Sequence, residues 1–148
     1  MQRVFPYLTD EEERALLEKS GVSRFTPGAP IVREGDHHNA LYVLRAGHVR
    51  VEKNSAGFPL ELARLGPGEI FGEMSFIDGS PASADIIAND PVEAYVVDGQ
   101  ILDPLLRKYP SIYGRLFRSL AAILARRLRE TASLVNLIEA STPQWQPE

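Results

Sequence analysis

The apolar positions of this chain change rhythm twice. Near the start, Thr9 stands three residues before Glu12, with more acids between them, and Ala15, Leu16 and Leu17 follow. That spacing predicts a helix opened by a capping box and stopped at Gly21. From Val22 to Asp98 the period drops to two. Leu41-Tyr42-Val43-Leu44, His48 to Glu52, Leu60 to Leu65, Ile86-Ile87 and Ala94 to Val97 read as short strands. Turns at Pro27-Gly28, Glu34-Gly35-Asp36, Ala46-Gly47 and Ser55-Ala56-Gly57 punctuate them. Many short strands so spaced predict a sandwich or barrel rather than alternating β-α-β units. At Ile101 the helical period returns. Asp98 reads as an N-cap, with Leu102, Leu105 and Leu106 on one face up to Tyr109-Pro110. Ser111 is then expected to cap a long helix. Its apolar seam is Ile112, Leu116, Leu120, Ile123/Leu124, Leu128, Val135 and Ile138, and arginines 115, 118, 126 and 129 take other faces.

The predicted fold is therefore mainly β with flanking helices: an antiparallel β-roll over 1–100, then C-terminal helices over 101–140. At 148 residues the chain suits one domain with a single core. The polar, proline-bearing tail 141–148 is expected to be disordered. No apolar run is long enough to cross a membrane, and no basic-then-apolar signal opens the chain. There are no cysteines, which excludes disulfides, thiol catalysis and thiolate metal sites. A cytoplasmic, membrane-free location is expected. The net charge of −4 is uneven. Residues 1–100 carry 9 Lys/Arg against 16 Asp/Glu, and residues 101–148 carry 7 against 4. The basic excess of the second part is too small for a nucleic-acid footprint and reads as a solvated helix face.

Candidate chemistry concentrates in Gly68-Glu69-Ile70-Phe71-Gly72-Glu73-Met74-Ser75-Phe76 and in Gly79-Ser80-Pro81-Ala82-Ser83-Ala84. A glycine turn there precedes a short helical segment that opens with a carboxylate, and a proline turn brings the chain back. Free amides at a helix start favour an anion, and Gly72 lets backbone approach a ligand. Glu73 either grips a ligand hydroxyl or accepts amides of its own helix start; its place between Gly72 and a buried Met74 favours the former. His37 and His38 are neighbours with no carboxylate cluster beside them, so no metal site is expected. No Ser-His-Asp order, Walker loop or acid–base pair is recognisable, so the expectation is a protein that is not an enzyme.

These segments resemble the phosphate-binding cassette of the cyclic-nucleotide-binding domain family. Arg33-Glu34-Gly35-Asp36, Leu41 to Leu44 and the Gly47 turn stand in the family's order ahead of the cassette. Tyr109-Pro110 and Leu120 to Leu128 resemble the dimerisation helix of its catabolite-activator group. The resemblance implies a jelly-roll-like β-roll, no cofactor, and a cyclic nucleotide (cAMP or cGMP) or another small anion as ligand. It places amides of Gly72, Glu73, Met74 and Ser75, the Glu73 carboxylate, Ser83, Ala84 and the Thr131 hydroxyl around that ligand. The family's phosphate-holding arginine is replaced by Ala82, which implies weak or altered binding. Arg64 or His48 could supply the missing cation from neighbouring strands, although nothing in the sequence shows that either does and Arg64 itself reads as an outward-facing strand residue. The resemblance further implies a homodimer through the C-terminal helix and an effector protein or output domain as partner. The activator group continues into a DNA-reading domain, and this chain stops before one, so no nucleic acid is expected to bind it. Three functions stay open: a ligand sensor, an orphan protein-contact domain, and the sensory half of a transcription regulator.

Overall fold

The computed structural model describes residues 3–37 and 39–141. The tail from 142, the His38 position and the side chains of Val135 and Ile138 lie outside the described residues. The first helix, α1 (Asp10–Ser20), begins as its sequence predicts. Thr9 Oγ1 accepts the Glu12 amide at 3.2 Å, and Glu12 Oε1 accepts the Thr9 amide at 2.8 Å.

Eight strands follow among the described residues: β1 (Val22–Phe25), β2 (Pro30–Val32), β3 (Leu41–Ala46), β4 (Val49–Ser55), β5 (Phe58–Leu65), β6 (Ile70–Phe71), β7 (Asp85–Ala88) and β8 (Val92–Val97). They form two antiparallel sheets, in the orders β1-β8-β3-β6 and β2-β7-β4-β5. The short helix α2 (Glu73–Asp78) lies between β6 and β7; α3 (Gly99–Lys108) and α4 (Ile112–Ser141) close the chain.

Strand β3 explains the layering. Leu41, Tyr42, Val43 and Leu44 are all buried, because the strand is covered on both faces. Tyr42 and Leu44 point between the sheets, among Val49, Phe71, Ala88 and Ala94. Leu41 and Val43 point the other way, into a core built with Leu16 of α1, Leu105 of α3, and Ile112, Leu116, Leu120 and Ile123 of α4. Half of the α4 seam is thus spent on the chain's own roll. The homodimer expected through this helix is left only the part of the seam that the roll does not cover. Beyond Ile123 the seam turns outward, with Leu128 71% and Leu134 57% exposed.

Other expectations shift locally. β2, which begins at Pro30, was not read from the sequence; it is an edge strand, where a missing N–H costs no ladder bond. His48 sits in the turn before β4 rather than on the strand, held by Asp90. In β5, Leu60 and Leu62 are exposed because the strand forms the free edge of its sheet. Asp98 caps α3 as expected, accepting the Ile101 amide at 3.2 Å. Ser111 Oγ, expected to cap α4, instead accepts Arg115 Nη2 at 2.8 Å.

Two polar ties hold α4 against the N-terminal segment. Ser119 Oγ, fully buried, accepts the Tyr7 amide at 2.9 Å and donates to the Arg115 carbonyl at 2.8 Å. The Arg115 guanidinium grips the buried Glu12 carboxylate through two nitrogens. That pairing, helped by the Thr9 amide, outweighs burial and brings the Glu12 carboxyl from 4.5 down to about 2. A carboxyl more acidic in the folded chain stabilises it fully above its unfolded value and loses that contribution as pH falls through the folded one. Glu12→Gln is therefore expected to cost about 1–2 kcal/mol at pH 7. The gap from the wild type should close as pH drops from 4.5 toward 2. Denaturant melts across that range check this; a gap independent of pH would refute it.

Candidate ligand-binding site

The site begins with β6, whose two residues pair with β3 in the register Tyr42↔Phe71 and Val43↔Ile70. The Tyr42 and Phe71 rings stack at 4.7 Å and form its base. The chain must then leave the sheet at once. Gly72 does this with φ +77°, a region that L side chains rarely adopt. A Cβ there would stand 2.8 Å from the Ala40 carbonyl oxygen and 3.2 Å from the Tyr42 ring. Space and dihedral therefore both demand glycine. Helix α2 starts at Glu73 and ends at Gly79, whose amide bonds the Ser75 carbonyl at 2.8 Å.

The returning segment is clamped by the turn ahead of β3. The Gly35 amide donates to the Ala82 carbonyl, and the Ala82 amide to the Asp36 carbonyl, each at 2.8 Å. The Glu34 amide donates to Asp85 Oδ1 at 2.7 Å. The Arg33–Asp36 turn thus fixes where residues 82–85 face the cassette.

Between these pieces and the inner face of β4 and β5 lies a cavity of about 250 Å³. Gly72, Glu73, Met74, Ser75, Ala82, Ser83 and Ala84 all border it. Thr131 does not: it is exposed, and its hydroxyl donates to the Arg127 carbonyl at 3.0 Å. Met74 is 58% exposed at the edge of the cavity, not buried as its neighbours had suggested, because α2 turns that face to solvent.

The cation bordering the cavity is one the sequence reading did not single out. Arg127 of α4 reaches in, its Nη1 3.1 Å from Glu73 Oε1 and its Nη2 2.7 Å from the Ile70 carbonyl oxygen. Both side chains of this pair are largely covered. Neither Arg64 nor His48 borders the cavity, and Arg64 faces outward as its strand position suggests. Arg64 is exposed and paired with Glu61 at 2.7 Å, and His48 Nδ1 lies 2.8 Å from Asp90 Oδ2. The His48 hydrogen bonds hold the Asp90 carboxyl below its usual range. A signal for Arg127 existed in the sequence: position 127 extends the stripe 116, 120, 123 that α4 turns to the roll. A cation on an apolar stripe needs a buried partner.

Chemically, the cavity is an apolar chamber with one carboxylate and one guanidinium neutralising each other. Burial, with the Asp36 charge, pushes the Tyr42 phenol up, so it stays neutral. No group of three or more metal-ligating side chains occurs among the described residues, and none of the described helices is long and apolar enough to cross a membrane.

Comparison with known proteins agrees with this geometry. The profile of the cyclic nucleotide-binding domain matches residues 22–109. The chain is 35% identical to the cyclic AMP receptor protein of Thermus thermophilus over 136 residues, covering 91% of this chain and 61% of the receptor. It is 33% identical to glutaminase 2 of Bradyrhizobium diazoefficiens over 139 residues, which is 94% of this chain but 22% of that protein. The chain thus spans only part of the relatives it matches. Among solved structures, a cyclic nucleotide-binding domain from Methylobacillus flagellatus superimposes with a TM-score of 0.78 at 28% identity, covering 94% of this chain and 78% of that one. The turn at Gly72, the cassette carboxylate and the two-sheet roll behind them place the chain in the cyclic nucleotide-binding domain family.

Proposed function

We propose that this chain is a cytoplasmic regulatory sensor, not an enzyme, which takes a small ligand between its roll and α4 and reports occupancy through that helix. The observation that carries the reading is the Arg127–Glu73 pair. The cavity's carboxylate is bound to the helix that would transmit the signal. A ligand hydroxyl seeking Glu73, or a ligand phosphate seeking Arg127, must loosen that pair and so change how α4 sits. This is a population shift of an element with two arrangements.

The expected ligand is a cyclic nucleotide, bound weakly or with altered preference. Ala82 offers no cation where the family places one, and Arg127 is already occupied by Glu73. One absent charge-assisted contact costs about 1.5–3 kcal/mol, or roughly 10- to 100-fold in affinity. A second reading makes the chain an orphan protein-contact domain. The self-neutralised pair favours it, since Glu73 and Arg127 already satisfy each other's charge. A third makes it the sensory half of a catabolite-activator-type regulator, with an output domain as partner, in keeping with the 61% of the Thermus receptor that it spans.

The assembly follows from what α4 leaves uncovered. Tyr113, Leu128 and Leu134 on α4 and Met74 and Ile77 on α2 are exposed large apolar side chains. Two-fold pairing of α4 with its copy would cover those along the helix.

Calorimetric titration tests the ligand reading. Cyclic AMP should bind the wild type in the high-micromolar range or weaker. Ala82→Arg should tighten binding roughly 10-fold or more, as one phosphate contact requires. Glu73→Ala in that background should cancel much of the gain. Sub-micromolar binding to the wild type would show that Arg127 alone suffices and would overturn the role given to Ala82. Absence of any gain from Ala82→Arg would favour the orphan reading. For assembly, light scattering should show dimers, and Leu128→Glu, at a position exposed within one chain, should give folded monomers. A wild type that stays monomeric at high micromolar concentration would refute the pairing.

A further inference from the structure

A second cavity lies on the other side of Ile70, about 550 Å³ in volume, between the N-terminal segment, the end of β3, the turn before β6 and α4. Its charged lining is lopsided. Arg3, Arg45, Arg126 and Arg127 border it, against the single carboxylate of Glu69. Glu69 is itself engaged, its Oε2 accepting the Gly66 amide at 2.7 Å.

Three of the arginines are weakly neutralised from outside. Arg45 Nε stands 3.8 Å from Glu93, and Arg126 Nε stands 3.9 Å from Glu130, both at the long limit of an ion pair. Arg3 Nε is 3.1 Å from Asp10, itself largely exposed. Such contacts at a wet surface hold a guanidinium loosely and are screened by salt. Arg127 is held firmly by Glu73, so the loosely held guanidiniums are those of Arg3, Arg45 and Arg126, drawn from three separate parts of the chain.

We propose that this cleft is a second binding site, for a small oxyanion with two or more adjacent charges, such as a diphosphate group. Guanidiniums present planar forks that match phosphoryl oxygens, and several of them together recognise a multiply charged group better than a single one. A lone phosphate would fill only part of this volume. The site is distinct from the first cavity, yet Arg127 borders both, so an anion here competes with Glu73 for the same guanidinium. The inference does not depend on what the first cavity binds.

The test is calorimetric titration of the intact chain with sodium pyrophosphate, at low and at physiological ionic strength. One site per chain is expected, binding more tightly at low salt. Arg45→Gln with Arg126→Gln should weaken it roughly 10-fold or more. Both side chains are about half exposed or more, so the double variant should fold, and a thermal melt checks that. Ala82→Leu, which crowds the first cavity, should leave pyrophosphate binding unchanged. Failure of pyrophosphate to bind, or equal affinity in the double arginine variant, would overturn the proposal. Loss of binding in Ala82→Leu would do so as well, by placing the anion in the first cavity.

Discussion

Everything in this molecule depends on burying β3 from both sides. A strand with four consecutive apolar residues cannot leave either face wet. One face demands a second sheet, and the opposed β2-β7-β4-β5 sheet supplies it. The other demands helices, and α1, α3 and the first half of α4 supply those. The first cavity is a consequence. It opens where the two sheets part near β6, under a turn that can leave the sheet only because Gly72 has no side chain.

The same packing decides what α4 can do. Ile112, Leu116, Leu120 and Ile123 tie its first half to the roll, with Ser119 and the Glu12–Arg115 pair fixing its rotation. That rotation delivers Arg127 to Glu73, one turn beyond Ile123, the last buried apolar residue described in the helix. The pair thus sits where the helix passes from core element to exposed element. A perturbation there acts on the part of α4 that the roll holds least, which is why the sensor reading and the helix are hard to separate physically.

Charge placement follows the same logic. Burying Glu73 without a partner would be costly, and Arg127 removes that cost while leaving the cavity neutral. Across Ile70 the lining differs: four guanidiniums border the cavity against the one carboxylate of Glu69. The two cavities share Arg127 but differ in electrostatic character.

Much of the fold was legible in the chain itself. The capping box at Thr9 and Glu12, the Asp98 cap, the period-two stretch and the glycine cassette depend on interactions within a few residues, which local spacing encodes. The cassette residues Gly72, Glu73, Ser83 and Ala84 were legible for the same reason, since they lie close together on one turn and its return. Met74 was misjudged because burial depends on which way α2 faces, and no local rule sets that. Arg127 lies 54 residues from Glu73, and His48 lies 42 from Asp90. Such pairs exist only once the sheets and α4 have packed. Tertiary structure alone decided which arginine enters the cavity, that Thr131 stays outside it, and that half the α4 seam belongs to the chain's own core, because each rests on the helix's rotation against a distant strand.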